Sequence, residues 1–402
     1  MRNKFIAILL ASLCAAGMAD AKDRARDLGA EFEGTPGKLN AITDVPGVEV
    51  GQVTMIEGSG PTVVGKGPIR TGVTAVLPHG KDNSRPVNGG FYNLNGNGEM
   101  TGQSYLEDFG MIYGPIGISN TNAIGAVYAG VQQWTQHKYG EALWPVVAET
   151  YDGGLNDIEG FHIKPEDAMK AIDIAKSGAV DEGNVGGGTG MRCFGFKGGI
   201  GTASRVFSID KKSFTVGVLV QCNTGERSVL RVSGAPVGQE LAKKWLPCYA
   251  PGQSGEEKKE PVCEADGTGG KPTPDEGSII IVVGTDAPLS PIQLNRVARR
   301  AALGLARLGS FSGNGSGDLI LSFSTTSAVN DVSDEEAHEG EVVPTGKIDP
   351  VFKATVEATE EAVVNALVAA DTMTGANGYT LFGLPHAELK TILSKYGRIA
   401  VK

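Results

Sequence analysis

Ser278 is the residue whose surroundings most strongly predict chemistry. It follows Gly277 and opens a run of β-branched residues, 279–283. The preceding tract, about 251–277, is rich in glycine, proline and charge, so we expect it to be flexible and poorly ordered. If the chain is cut between Gly277 and Ser278, the serine hydroxyl comes to lie beside its own α-amine, a known pairing of nucleophile and base. The local pattern alone also fits a loop that leads into an ordinary core strand.

The elements that must position Ser278 alternate between strand and helix patterns. After the strand 279–283, Ser290 and Pro291 are typical of an N-cap and a first helical residue, and that helix is predicted to reach about Leu308. Further strands are predicted at 48–55, 73–77, 214–220 and 319–323, and further helices at 123–134, 165–177 and about 349–370. This alternation indicates an α/β layered protein.

The composition is that of an acidic, globular protein. The chain has 402 residues, of which 41% are hydrophobic, enough to bury the core of one large domain or two. Its 58 glycines are about twice the average usage, and many lie among apolar residues, which indicates tight turns and close backbone approaches. The net charge of −10 and the lack of a dense Lys/Arg patch argue against a nucleic-acid partner.

The N-terminus has the pattern of a secretory signal peptide. Arg2 and Lys4 precede the apolar run 5–10, and residues 19–21 (Ala-Asp-Ala) offer a small-x-small cleavage site. The apolar run is too short to remain as a membrane span. The sequence therefore predicts that residues 1–21 are removed, that the protein is exported to the periplasm, and that it has no membrane partner.

The cysteines beyond the signal peptide predict no redox motif and no metal site. They are Cys193, Cys222, Cys248 and Cys263. In an exported protein Cys248 and Cys263 could form a disulfide, and unpaired thiols that act as small hydrophobic groups are an equally good interpretation. The chain has no C-x-x-C and no H-E-x-x-H pattern, so we expect neither a metal nor a cofactor.

Several further motifs occur in order along most of the chain. They are ITDVPGV at 42–48, NGNGEMTG at 95–102, ETYDG at 149–153, the glycine-rich stretch 184–205, VLVQCN at 218–223, GS at 277–278, GSGD at 315–318 and FST at 323–325. With this set, the chain resembles the DmpA-type serine aminopeptidases and is closest to the β-peptidyl aminopeptidases among them. Any one motif is weak, whereas the ordered set is specific.

The resemblance implies a four-layer αββα sandwich of the N-terminal-nucleophile-like type. It implies that the precursor cleaves itself between Gly277 and Ser278 into an α-subunit, 22–277, and a β-subunit, 278–402, which together form one domain. Glycine at 277 leaves the attacked carbonyl unshielded and tolerates a strained backbone. The family further implies a tetramer of such heterodimers, and substrates that are small peptides or amino-acid amides with a free N-terminus.

The resemblance also assigns roles around the cut. Ser278 is the nucleophile, and Ser316 and Asp318 hydrogen-bond near it, although the family more often has glutamate at the second of these positions. Asn223 helps to form the oxyanion hole. Without the family, Ser316 and Asp318 fit a turn that leads into a strand, and Asn223 fits an Asn-x-Gly turn.

Two more residues are assigned to the substrate pocket by the resemblance. Glu149 binds the substrate ammonium through a charge-assisted hydrogen bond, and Tyr151 hydrogen-bonds at the reacting centre. On local pattern alone, Glu149 ends an amphipathic helix and Tyr151 packs in a loop.

The implied activity is the removal of N-terminal β-amino acids through an acyl-enzyme at Ser278. An aminopeptidase for L-residues, or a hydrolase for D-residue amides and esters, is the alternative within the family. A non-catalytic periplasmic binding protein is the alternative from another class, and it predicts a chain that stays intact.

Overall fold

The structure is a computed structural model that describes residues 22–252, 261–274, 277–327, 329 and 340–400. The predicted signal peptide, residues 1–21, lies outside the described residues. Within the described part, no helix combines the length and the apolar character that crossing a membrane requires.

Strands and helices alternate along the described residues. The strands are β1 (Glu49–Glu57), β2 (Ile69–Leu77), β3 (Val87–Gly96), β4 (Met111–Ile112), β5 (Ile116–Asn120), β6 (Val147–Thr150), β7 (Arg192–Cys193), β8 (Phe196–Lys197), β9 (Gly199–Ile209), β10 (Lys212–Asn223), β11 (Cys248–Tyr249), β12 (Ser278–Thr285), β13 (Gly317–Ser324), β14 (Met373–Thr374) and β15 (Tyr379–Leu381). The helices are α1 (Gln103–Phe109), α2 (Ile124–Tyr139), α3 (Pro165–Asp173), α4 (Val237–Glu240), α5 (Pro291–Arg307), α6 (Asp349–Val368) and α7 (His386–Lys395).

Two stacked sheets form the centre of the molecule. One has the strand order β1-β2-β5-β6, and the other has the order β4-β3-β13-β12-β10-β9. Helices α2 and α3 pack on the first sheet, and α5 and α6 pack on the second. Side chains from both sheets fill the core between them, among them Ile118, Leu219, Ile280 and Leu319. The predicted four-layer αββα sandwich is confirmed.

Strand β12 lies in the middle of the larger sheet and is buried along its whole length. Ile279, Ile281 and Val283 point toward the layer of α5 and α6, whereas Ile280 and Val282 point into the core between the sheets. It pairs parallel with β13 and antiparallel with β10. A strand covered on both faces requires an unbroken apolar run, which accounts for the sequence of this strand.

Helix α5 begins as predicted, and α3 ends earlier than predicted. The Ser290 hydroxyl and the Gln293 side chain form a capping box, with Pro291 in the first turn of α5. Helix α3 ends at Asp173 instead of residue 177 because Lys176 exchanges two backbone hydrogen bonds with Val50 of β1. A long-range pairing of this kind is invisible to a local helical pattern.

Part of the tract before Ser278 is held in place. Residues 253–260 and 275–276 lie outside the described residues. Between them, Cys263 forms a disulfide with Cys248, and the Lys271 N–H donates to the Pro247 carbonyl at 3.0 Å. Of the two interpretations of this cysteine pair, the structure therefore agrees with the disulfide and not with free thiols. Residues 261–274 are more ordered than their composition predicts.

Candidate active site

Ser278 lies where three strands of the larger sheet come together. It is the first residue of β12, and it is paired with Asn223, the last residue of β10, and with Gly317, the first residue of β13. Ser278 is buried, with 6% of its surface exposed. The register of the sheet therefore joins three segments that are far apart in the sequence.

The Gly317 N–H contacts both groups that self-cleavage would use. It donates to the Gly277 carbonyl at 3.1 Å and to the Ser278 hydroxyl at 3.3 Å. Gly277 also packs against the end of β10, where a Cβ would lie 1.8 Å from the Asn223 carbonyl oxygen. Only glycine fits there, because a clash with backbone atoms cannot be relieved by a side-chain movement.

Ser316 and Asp318 flank Gly317 and are fully buried. The Ser316 hydroxyl donates to Asp318 Oδ1 at 2.6 Å, and the Thr224 hydroxyl lies 3.1 Å from Ser316 Oγ. The predicted pair is therefore in contact, and aspartate is long enough to reach Ser316. Thr224 extends the pair to a chain of three polar groups. Sequence reasoning does not single out Thr224, although its position directly after Asn223 was a signal.

Two backbone groups fix the orientation of the Asn223 side chain. Its Oδ1 accepts from the Arg192 N–H at 2.7 Å, and its Nδ2 donates to the Tyr151 carbonyl at 3.0 Å. The amide nitrogen carries two hydrogens, so Tyr151 uses only one of them. A fixed side-chain donor of this kind meets the requirement for stabilising an oxyanion.

A cleft of about 700 Å³ adjoins Asn223. Its walls include Tyr151, Arg192, Tyr379 and the segment 271–274. The Arg192 guanidinium donates to the Pro274 carbonyl at 3.2 Å. Part of the chain that precedes the predicted cut therefore lies in the cleft.

Glu149 is a buried carboxylate near β13. It lies on β6, and not at the end of a helix. Its Oε1 accepts from the Glu99 N–H at 3.0 Å, and its Oε2 accepts from the Thr121 hydroxyl. A Cβ on Gly98 would lie 3.2 Å from Glu149 Oε1 and 3.4 Å from Gly317 Cα, so the carboxylate and the start of β13 both border this side of Gly98. Burial raises the pKa of Glu149, and the two hydrogen bonds oppose this rise.

Tyr151 takes part through its backbone and its ring. Its carbonyl accepts the hydrogen bond from Asn223, and its side chain lines the cleft. In total, 55% of the surface of Tyr151 is exposed. Partial burial, and secondarily the charge of Asp152, raise the pKa of the phenol. The hydroxyl therefore remains a hydrogen-bond donor at neutral pH. Glu149 thus lies beside β13, and Tyr151 lies beside β10.

A second disulfide, between Cys193 and Cys222, is a feature that sequence reasoning misses. Both cysteines are fully buried. Cys193 directly follows Arg192, and Cys222 directly precedes Asn223. The disulfide therefore lies next to the hydrogen bond that orients the Asn223 amide. The adjacency of Cys222 to the predicted oxyanion donor was the available signal.

The fold and the site together define the class of the protein. An αββα sandwich with a serine at the start of a central strand is the architecture of N-terminal-nucleophile-like hydrolases. The model of peptidase family S58 matches residues 40–381. The chain therefore belongs to peptidase family S58.

Individual relatives agree with this assignment. The chain is 53% identical to beta-peptidyl aminopeptidase BapA of Sphingosinicella microcystinivorans, over 99% of this chain and 98% of the relative. It is 46% identical to beta-peptidyl aminopeptidase BapA of Sphingosinicella xenopeptidilytica, over 92% and 90% of the two chains. The solved structure of the L-aminopeptidase D-Ala-esterase/amidase from Ochrobactrum anthropi superimposes with a TM-score of 0.82 at 43% identity, covering 94% of this chain and 99% of that one. The predicted family is confirmed.

Proposed function

We propose that the protein is a self-processing serine aminopeptidase that removes N-terminal β-amino acids from short peptides and amides. The observation that carries the proposal is the position of Ser278 on β12, with a backbone donor on one neighbouring strand and a side-chain amide on the other. The high identity to two β-peptidyl aminopeptidases supports this choice of substrate.

The first reaction is the cut itself. The Ser278 hydroxyl attacks the Gly277 carbonyl carbon, and the Gly317 N–H stabilises the negative charge that develops on the carbonyl oxygen. The C–N bond then breaks while the proton lost by the hydroxyl passes to the leaving nitrogen, which transfers the Gly277 acyl group to the Ser278 oxygen and leaves a free amine. Water hydrolyses this ester and leaves a carboxylate on Gly277 and an N-terminal Ser278.

Turnover repeats the same chemistry on a substrate. The Ser278 hydroxyl attacks the amide carbonyl, and the α-amine takes its proton, assisted by Ser316 and Asp318. The free N–H of Asn223 stabilises the oxyanion. The substrate amine leaves with a proton, and water hydrolyses the ester to release the amino acid.

Recognition of the substrate falls to Glu149 and Tyr151. The Glu149 carboxylate pairs with the substrate ammonium, since one of its oxygens is oriented by a backbone N–H and the other by a hydroxyl. The Tyr151 hydroxyl donates to the reacting carbonyl from the side of the cleft. The extra methylene of a β-amino acid lengthens the distance between the ammonium and the carbonyl that these two groups must span.

The proposal extends to assembly and location. The pieces 22–277 and 278–402 stay together as an α- and a β-subunit of one domain, four such heterodimers associate, and the signal peptide directs the protein to the periplasm.

The similarity to an L-aminopeptidase D-Ala-esterase/amidase favours a second candidate activity, on α-amino acid amides and esters. Membership of a peptidase family counts against a non-catalytic binding protein.

The test combines intact mass, N-terminal sequencing and two anilide substrates. The purified protein should give two pieces, one of which begins at Ser278, and it should hydrolyse a β-alanyl anilide faster than an L-alanyl anilide. Ser278→Ala should remain whole and inactive. Ser324→Ala is the matched control, because this buried serine lies at the far end of β13 and donates to the Ala287 carbonyl. An unsubstituted protein that stays whole, or an active Ser278→Ala protein, would refute the proposal.

A further inference from the structure

Lys197 carries a fully buried amino group surrounded by backbone carbonyls. It is the last residue of β8, and no part of it is exposed. Its Nζ donates to the Met191 carbonyl at 2.8 Å, to the Gly198 carbonyl at 2.7 Å and to the Gly188 carbonyl at 3.3 Å. Burial lowers its pKa well below the ordinary value. Burying an amine in this way costs free energy, so its presence calls for a function.

One of these carbonyls belongs to the peptide that orients the oxyanion donor. The Met191 carbonyl and the Arg192 N–H are the two ends of a single peptide plane. At the carbonyl end, Lys197 Nζ donates at 2.8 Å and the Gly198 N–H donates at 2.9 Å; at the N–H end, Asn223 Oδ1 accepts at 2.7 Å. A rotation of this plane would break all three hydrogen bonds at once.

The chain of hydrogen bonds also strengthens the donor at its far end. An amine bound to a carbonyl polarises that peptide, and its N–H becomes a better donor. The Asn223 amide, with its oxygen bound to the Arg192 N–H, becomes a better donor through Nδ2 in the same way. The Cys193–Cys222 disulfide keeps the two backbones together, but it does not set the rotation of the peptide plane between Met191 and Arg192.

We propose that Lys197 is a positioning residue for the oxyanion donor: together with the Gly198 N–H, it fixes the peptide plane between Met191 and Arg192 and so holds the Asn223 amide in its productive orientation. The inference rests on the proposed function, since it concerns the donor that the proposed reaction needs. Lys197 touches no substrate and acts only through Asn223.

A double-mutant cycle on the processed protein tests this role. Lys197→Met keeps the length and apolar stem of the side chain and removes the amine. It should lower kcat for a β-alanyl anilide by about 100-fold, the usual cost of a misplaced catalytic group, with a much smaller change in KM. In an Asn223→Ala background the same substitution should cost less than about threefold, because its target is already absent.

Arg227→Met is the matched control for loss of a buried basic side chain. Arg227 is 2% exposed and donates to five carbonyls, those of Phe194, Gly195, Leu241, Lys244 and Trp245, none of which belongs to the peptide that Lys197 holds. It should lower the melting temperature and leave kcat within about threefold. Mass and melting temperature are measured for every variant before its kinetics.

The outcomes separate the inference from the function on which it rests. Equal losses from Lys197→Met in both backgrounds would overturn the positioning role and leave the aminopeptidase intact. If Lys197→Met does not fold, the cycle is run with Lys197→Gln, and a chain that folds with neither side chain would assign Lys197 to the fold and overturn the proposal. An unsubstituted protein without anilide activity would overturn both.

Discussion

At the scale of single residues, the proposed mechanism assigns the two donors beside Ser278 to different reactions. In the uncut chain the Gly317 N–H contacts the Gly277 carbonyl, whereas the Asn223 amide lies against the cleft. We therefore expect Asn223→Ala to be cut at nearly the normal rate. It should hydrolyse a β-alanyl anilide about 100- to 1,000-fold more slowly, the usual cost of losing one oxyanion donor. Intact mass against time and steady-state kcat measure the two reactions separately.

Asn365→Ala provides the control for removal of a buried asparagine. The Asn365 side chain bonds only to the backbones of Ala25 and Thr202 among the described residues, away from β12, so both rates should persist while stability falls. An Asn223→Ala protein that remains whole would show that a single donor serves both reactions.

Glu149→Gln should impair turnover and leave the cut unaffected, because the uncut chain presents no ammonium at Gly277. Glutamine keeps the shape but not the charge, so kcat/KM should fall about 10- to 100-fold, mainly through KM. Since burial raises the pKa of Glu149, kcat/KM of the unsubstituted protein should fall as the pH decreases through that raised pKa, where the carboxylate takes up a proton. This acid limb should be missing from the variant.

Glu99→Gln is the control for that experiment, since Glu99 is exposed and donates to Glu149 through its backbone N–H, which the substitution keeps. Its kinetics at neutral pH should match those of the unsubstituted protein, and its acid limb should persist at a slightly lower pH, because the charge of Glu99 contributes to the raised pKa of Glu149. A Glu149→Gln protein that keeps its KM, or that is no longer cut, would contradict the assigned role.

The sequence predicts candidate residues for the site, but it does not predict their contacts. Asp318 illustrates the limit. The family more often has glutamate at this position, and the sequence does not show whether the shorter aspartate side chain reaches Ser316. The reach depends on how the Ser316–Asp318 backbone enters β13, where the observed distance is 2.6 Å. Lys197 is a stronger case, because nothing in its local sequence marks it as buried against Met191.

At the scale of elements, the start of β12 depends on glycine. A Cβ on Gly277 would meet the Asn223 carbonyl oxygen at 1.8 Å, so Gly277→Ala must push β12 and β10 apart beside the nucleophile. We expect the cut to slow by more than about 10-fold and the melting temperature to fall, as usual for a substitution that overpacks a core. Time-resolved intact mass and thermal unfolding measure the two effects.

Gly346→Ala is the matched control, because a Cβ there meets nothing within 4 Å. It should be cut at the normal rate with an unchanged melting temperature. If Gly277→Ala were cut as fast as this control, the close packing against β10 would have no part in the reaction.

Elements whose pattern is local were predictable, and elements made by distant pairing were not. Residues 279–283 predict β12, and the Ser290 cap predicts the start of α5, because both patterns depend only on residues close together in the sequence. The local pattern around Glu149 alone fits the end of a helix, whereas residues 147–150 form strand β6 through parallel pairing with β5. Residues 261–274 look disordered by composition, yet the Cys248–Cys263 disulfide fixes them.

At the scale of the whole molecule, periodicity predicts layers but not strand order. Alternating strands and helices predict an α/β protein, and the family resemblance supplies the four layers. The order β4-β3-β13-β12-β10-β9 depends on which distant strands meet, and buried apolar strands carry little information about their neighbours. The predicted cut site therefore looks like a loop boundary in the sequence, although it lies at the edge of a central strand of a sheet.

This strand order has a consequence for the lifetime of the molecule. Strands β12 and β13 follow the cut, yet they lie between β3 and β10, which precede it, and both disulfides lie within residues 22–277. Once cut, the two pieces would be interleaved without a covalent link. The folded form would then be reached efficiently only from the single chain, and its persistence would be set by the rate of unfolding.

Refolding from urea tests this directly. The uncut Ser278→Ala chain should recover its fold at any protein concentration, whereas the cut protein should recover poorly and better at higher concentration, because two pieces must first meet. Circular dichroism after dilution measures the recovery, and equal recoveries would contradict the expectation. The cut would then prevent the folded and unfolded forms from equilibrating. A molecule that has unfolded would be replaced only by new synthesis.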